Sequence, residues 1–160
     1  MVKIKFMLNF RILLVTFLWG AFLGVMIIKV YWTGYQEITW LRYYSVPYGW
    51  YETPTPKIID LFLVLFASLG AGFLFKDVKS LFYCYITAIL ISFVLSFMFV
   101  IWYMQNVLRV EYLFSWSSFN WEWGVFIAGL NVLKIFFPQV FFVSLLGTVL
   151  GILLRGLFFY

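Results

Sequence analysis

Apolar residues in this chain do not alternate with polar ones. They run on for lengths near twenty residues and are separated by short polar or aromatic breaks. A bilayer hydrocarbon core about 30 Å thick takes about 20 residues of helix at a rise of 1.5 Å per residue, so the length of each run is diagnostic. Four runs qualify: about 10–28, 58–75, 81–104 and 135–154. Lys29 closes the first, Lys57 and Lys76 bound the second, the third carries no charge, and the fourth lies between Lys134 and Arg155. In lipid every backbone N–H and C=O must be satisfied within the protein, and a barrel strand would show a period of two that is absent here. The pattern predicts an all-α integral membrane bundle of four transmembrane helices, one membrane domain over 1–160, with outer loops at about 33–57 and 105–133.

The stretch Lys76-Asp77-Val78-Lys79-Ser80 is too short to hold a domain and is expected to make the second and third helices antiparallel neighbours. The first outer loop concentrates Trp40, Tyr43, Tyr44, Tyr48, Trp50 and Tyr51 with prolines at 47, 54 and 56, and Thr55-Pro56 reads as the cap and first residue of the second helix. Amphipathic rings at that density suit lipid headgroups or a partner protein. In the second outer segment, residues 124–133 are apolar for only about ten positions. That length predicts an interfacial or re-entrant piece before the fourth helix, while the alternative is one tilted rod kinked at Pro138. Residues 1–80 laid over 81–160 show no run of identities, which argues against a duplicated transporter half.

Composition sharpens this picture. The chain is 66% hydrophobic and only 11% charged, against roughly a quarter charged in a soluble domain. Its mean hydropathy of +1.04 agrees. With the N-terminus inside, Lys3, Lys5, Arg11, Lys76, Lys79 and Arg155 face only Asp77, while Lys29, Arg42, Lys57, Arg109 and Lys134 on the outer side are balanced by Glu37, Glu52, Asp60, Glu111 and Glu122. All the excess positive charge falls in the short inner segments, so both termini are expected on the cytoplasmic or inner side. The basic pI of 9.4 then reports orientation and attraction to anionic headgroups, and no nucleic-acid partner is expected. The first apolar run exceeds a signal-peptide core and lacks a small-x-small site, so it is expected to remain as a span.

Small residues recur at helical spacing: Gly20 and Gly24 after Thr16, Ala67 with Ala71, Ser68 with Gly72, Ala88 with Ser92 and Ser96, and Gly147 with Gly151 beside Ser144 and Thr148. Lipid tails are as apolar as leucine, so membrane helices associate through close backbone approach and interhelical hydrogen bonds, both of which such rows permit. These rows are the expected helix-packing residues. Lys29, Asp60 and Lys134 lie near the outer span ends, and Gln139 adjoins Pro138 with Asn131 upstream. A transport site would use Asp60 as a proton or cation ligand countered by a lysine. The plainer explanation has each side chain reach the interface, with Asp60 favoured in a first helical turn. Amides beside a proline kink can line a small polar cavity, though they more often bridge helices.

The chain has no histidine and a single cysteine, Cys84, so histidine-ligated haem or zinc, iron–sulfur chemistry and an intrachain disulfide are excluded for its own side chains. It has no phosphate-binding glycine loop and no G-x-S-x-G. The expectation is a non-catalytic subunit without metal or cofactor, one that packs against membrane lipids and other membrane-protein subunits in a larger complex of energy-converting or translocating type. A small oligomeric transporter or channel component is the alternative.

Overall fold

The computed structural model describes residues 2–42, 54–107 and 121–159. They form α1 (Val2–Arg42), α2 (Ile58–Leu74), α3 (Val78–Asn106), α4 (Trp121–Ile135), a π-helical turn at Phe136–Val140, and α5 (Phe141–Phe159). No strand occurs among the described residues. Three helical stretches, Phe10–Tyr35, Val78–Asn106 and Trp121–Phe158, are long and apolar enough to cross a membrane, and α2, at 17 residues, is a shorter apolar helix. Large apolar side chains such as Leu13, Phe66, Leu90, Met98 and Leu153 point outward. A soluble protein buries this class of residue; contact with lipid accounts for the inversion.

Helix ends depart from the apolar-run boundaries for a simple reason. A charge ends a greasy run, but it does not end a hydrogen-bond ladder. Thus α1 continues through Lys29 to Arg42, so residues 33–42 of the expected outer loop are helical, and its aromatic stretch 43–51 lies outside the described residues. Helix α2 does not start at Thr55-Pro56 as expected. Lys57 is its N-cap residue, and Asp60 Oδ2 accepts the Lys57 backbone N–H at 3.2 Å, one half of a capping box. Asp77 caps α3 by accepting the Ser80 N–H at 3.2 Å.

The segment before the expected fourth helix is itself helical from Trp121, whereas residues 108–120 lie outside the described set. Helix α4 buries Gly124, Ala128, Asn131, Val132 and Ile135 and packs on α3 and α1. The ladder breaks at Phe137, whose φ −108° and ψ 134° are extended. Pro138 supplies the cause: it has no N–H to donate, and its ring disfavours helical backbone at the preceding residue.

Tight packing joins α1 to α3 and α2 to α5, each pair running parallel. The small-residue rows make this possible. A methyl added to Gly20 would lie 2.8 Å from Ala88 O, and one on Gly147 would lie 2.6 Å from Leu65 O. Methyls on Gly72 and Gly151 would collide with the Thr148 and Leu69 carbonyls. Ala88, Ser92 and Ser96 form the buried stripe of α3 that faces Gly20 and Gly24, and Ser96 Oγ donates across to Gly24 O at 3.3 Å. An aromatic cluster closes the C-terminal part of the α1–α3 pair, with Tyr31 and Trp32 at 5.4 and 5.3 Å from Tyr103. Although Phe75–Asp77 joins them directly, α2 and α3 hardly touch. The short connection fixes their opposite directions, but the glycine faces choose other partners.

Gly151→Ala places its Cβ against backbone that has no rotamer to yield, and is expected to cost about 1–3 kcal/mol. Gly70→Ala, where nothing lies within 4 Å, should be neutral or stabilising by up to about 1 kcal/mol through helix propensity. Thermal denaturation of the two variants in the same detergent, followed by far-UV circular dichroism, compares them directly.

Candidate functional site

The two parallel pairs meet along an antiparallel seam, and three polar side-chain contacts bridge it. On α1, Trp19 Nε1 donates to Ser68 Oγ of α2 at 3.2 Å. Two to three turns further along α1, Lys29 Nζ donates to Asp60 Oδ1 at 2.7 Å. Between α3 and α5, the Tyr85 hydroxyl lies 3.1 Å from Ser144 Oγ and 3.0 Å from Phe141 O. Trp19 and Tyr85 pack ring to ring at 5.6 Å, so the two middle contacts form one cluster. Ser68 and Ser144 are fully buried. Helical periodicity places them here: Ser68 follows Asp60 by eight residues on one face of α2.

Asp60 is the most constrained polar group of the set. Its side chain is 8% exposed while that of Lys29 is 49% exposed. One carboxylate oxygen takes the lysine and the other takes the Lys57 N–H. The helix that carries Asp60 starts just before it, so the positive end of the α2 dipole adds to the lysine charge. Because Lys29 reaches water or headgroups along its apolar stem, only one end of the pair is desolvated, and its net worth is less than that of a fully buried pair.

Of the four predicted polar-site residues, the fold therefore joins Lys29 and Asp60. Lys134 and Gln139 are exposed, and neither hydrogen-bonds to Asp60 or to the other among the described residues. Of the predicted packing residues, Gly20, Gly24, Ala88, Ser92 and Ser96 serve α1–α3 and Gly147 and Gly151 serve α2–α5, while on α2 Ala71 is buried and Ala67 half-buried. Sequence reasoning missed Trp19 and Tyr85, because an aromatic ring counts as apolar until its one polar atom is seen to reach a serine. It also missed Arg155 as a helix cap. Arg155 Nη1 donates to Phe73 O and Leu74 O at 3.0 and 3.1 Å, satisfying the C-terminal carbonyls of α2 with a cation at the negative end of its dipole.

Three threonine hydroxyls turn back on their own helices: Thr16 to Ile12 O, Thr87 to Tyr83 O and Thr148 to Ser144 O. A shallow groove of about 280 Å³ on the α2–α5 face is lined by Ile58, Leu61, Phe62, Leu65, Phe142, Val143 and Leu146, all apolar. Groups of three or more His, Cys, Asp or Glu arranged to hold a metal ion are absent among the described residues. Comparison of the chain with protein-family models, curated proteins and solved structures finds no match.

A double-mutant cycle at the ion pair separates its parts. Lys29→Met leaves the buried Asp60 carboxylate with only its cap, whereas Lys29→Met with Asp60→Asn removes the stranded charge and keeps an amide oxygen for the Lys57 N–H. The double variant is expected to melt at least as high as Lys29→Met alone, with a coupling energy of about 1–2 kcal/mol after allowance for the exposed lysine. Independent, additive effects would show that the two side chains do not interact in the membrane.

Proposed function

We propose that the chain is a four-span, non-catalytic and cofactor-free subunit of a larger membrane complex, of energy-converting or translocating type, with both termini on the inner side. One observation carries the reading: the polar side chains that meet between the helix pairs close on one another, Lys29 on Asp60, Trp19 on Ser68 and Tyr85 on Ser144. Groups committed in this way hold helices together; they do not line an open path for a solute. The broad apolar exterior of all the helices is the remaining surface to present, to lipid and to neighbouring subunits. Helix α2 counts as the fourth span because Lys57 and Lys76 bracket 18 residues, about 27 Å of helix, close to the core thickness. Lys3, Lys5, Arg11, Lys76, Lys79 and Arg155 supply the basic residues of the inner face.

Extraction in a mild detergent followed by native mass spectrometry tests the assignment. The chain is expected in a stoichiometric particle with other membrane polypeptides, and a pure homo-oligomer would contradict that. Orientation is tested separately in Cys84→Ala cells: a thiol at Lys57→Cys should react with an impermeant maleimide from outside, and one at Lys79→Cys only after permeabilisation.

A second reading, a small oligomeric transporter or channel component, is favoured by one feature, the buried Asp60 carboxylate that faces a half-exposed lysine across the helix seam. Reconstituted alone in liposomes, a transporter would pass protons or a cation at a rate abolished by Asp60→Asn, and the subunit reading requires no such flux.

A further inference from the structure

The helix break at Phe137 divides the molecule in a way the sequence order hides. Helix α4, above the break, packs on α3 and α1, whereas α5, below it, packs on α2. One body therefore consists of α1, α3 and α4, and the other of α2 and α5. Inside each body the contacts are backbone against backbone at Gly20, Gly72, Gly147 and Gly151. Such surfaces have no side-chain layer in which to slide. Between the bodies the polar contacts are made by side-chain tips, and two of the partners on the α2–α5 body keep a local substitute. Ser144 Oγ also bonds Phe141 O at 2.9 Å, and Asp60 also accepts the Lys57 N–H at 3.2 Å. When Lys29 lets go, Asp60 keeps the Lys57 N–H and the half-exposed lysine is solvated, so opening this contact while the Trp19–Ser68 and Tyr85–Ser144 contacts stay closed avoids the usual penalty of orphaned buried groups.

The contacts also differ in depth. Trp19, Ser68, Tyr85 and Ser144 form a middle cluster, and Lys29–Asp60 lies eight residues further out along α2, about 12 Å of helix. We propose that the two bodies rock about the Trp19–Ser68–Tyr85–Ser144 cluster, with Lys29–Asp60 as an outer latch and Phe137 as the backbone hinge that lets α4 stay with one body while α5 moves with the other. Hinges of this kind concentrate the change at a few residues and leave packed helices intact. Opening the latch parts the outer halves and uncovers Asp60, so the joint adapts one side of the protein to a moving neighbour while the glycine-closed pairs stay rigid.

Distance distributions between nitroxide pairs in lipid nanodiscs test the hinge on the full chain with Cys84→Ala. Label pairs at Val25 with Ile59 and at Met98 with Ile59 cross the seam far from the pivot, while Val25 with Met98 and Ile59 with Leu150 stay within a body. All these positions are exposed. Lys29→Gln and Asp60→Asn are both used as latch variants, and the within-body distances report whether each has folded. The expected result is a longer component, displaced by about 5 Å or more, at both seam-crossing pairs in either latch variant, with both within-body distances unchanged. Seam-crossing distances that stay single and unmoved in a folded variant would overturn the proposal, as would within-body distances that lengthen together with them.

Discussion

Close backbone approach at a few glycines is the constraint on which the rest of this molecule depends. In water, burying large side chains drives helices together, but in lipid that driving force is gone, and leucine gains little by leaving one apolar neighbour for another. What remains is contact at short range, and it is strongest where two backbones meet with no side chain between them. Gly20 against Ala88 and Gly151 against Leu69 are such places. Each fixes a pair of parallel helices, and the pairs in turn fix where every interior polar side chain can go. Because the tight partners are α1 with α3 and α2 with α5, the seam between them is left to longer-range contacts made by an indole, a phenol, two serines and an ion pair.

That division gives each polar residue a mechanical meaning. Asp60 both starts α2 and ties it to α1 through Lys29. Arg155 ends α2 at its other extremity by covering the Phe73 and Leu74 carbonyls. Helix α2 is thus held by charge at both ends, each charge opposite in sign to the local end of the helix dipole. These two contacts satisfy backbone groups at the ends of the helix that no partner within it can reach.

Much of the bundle was legible in the chain, and the parts that were not have identifiable causes. Helical membrane architecture follows from run length alone. The packing faces follow from i, i+4 spacing, and Gly147 and Gly151 do meet a neighbour as that spacing implies. Spacing does not name the neighbour, however. The short Phe75–Asp77 link pointed to α2 against α3, and glycine complementarity selected α5 instead. Helix ends were misplaced at Lys29 because hydropathy measures side chains while the helix is a property of the backbone. Lys29 and Asp60 were each visible as isolated charges near span ends, but their pairing required knowing that α1 and α2 run antiparallel side by side. Trp19 and Tyr85 gave no signal, since only their position opposite Ser68 and Ser144 distinguishes them from the other rings in a chain that is 25% aromatic.

The parallel pairing of α2 with α5 is the least expected consequence of glycine-led packing and the most direct to measure. In native membranes, with Cys84→Ala, thiols at Leu65→Cys and Leu146→Cys face a common groove and should be joined rapidly by a short bifunctional reagent within one chain. A thiol at Leu65→Cys that instead joined Leu90→Cys on α3, while failing to reach Leu146→Cys, would show that sequence neighbours and not glycine faces decide which helices pack.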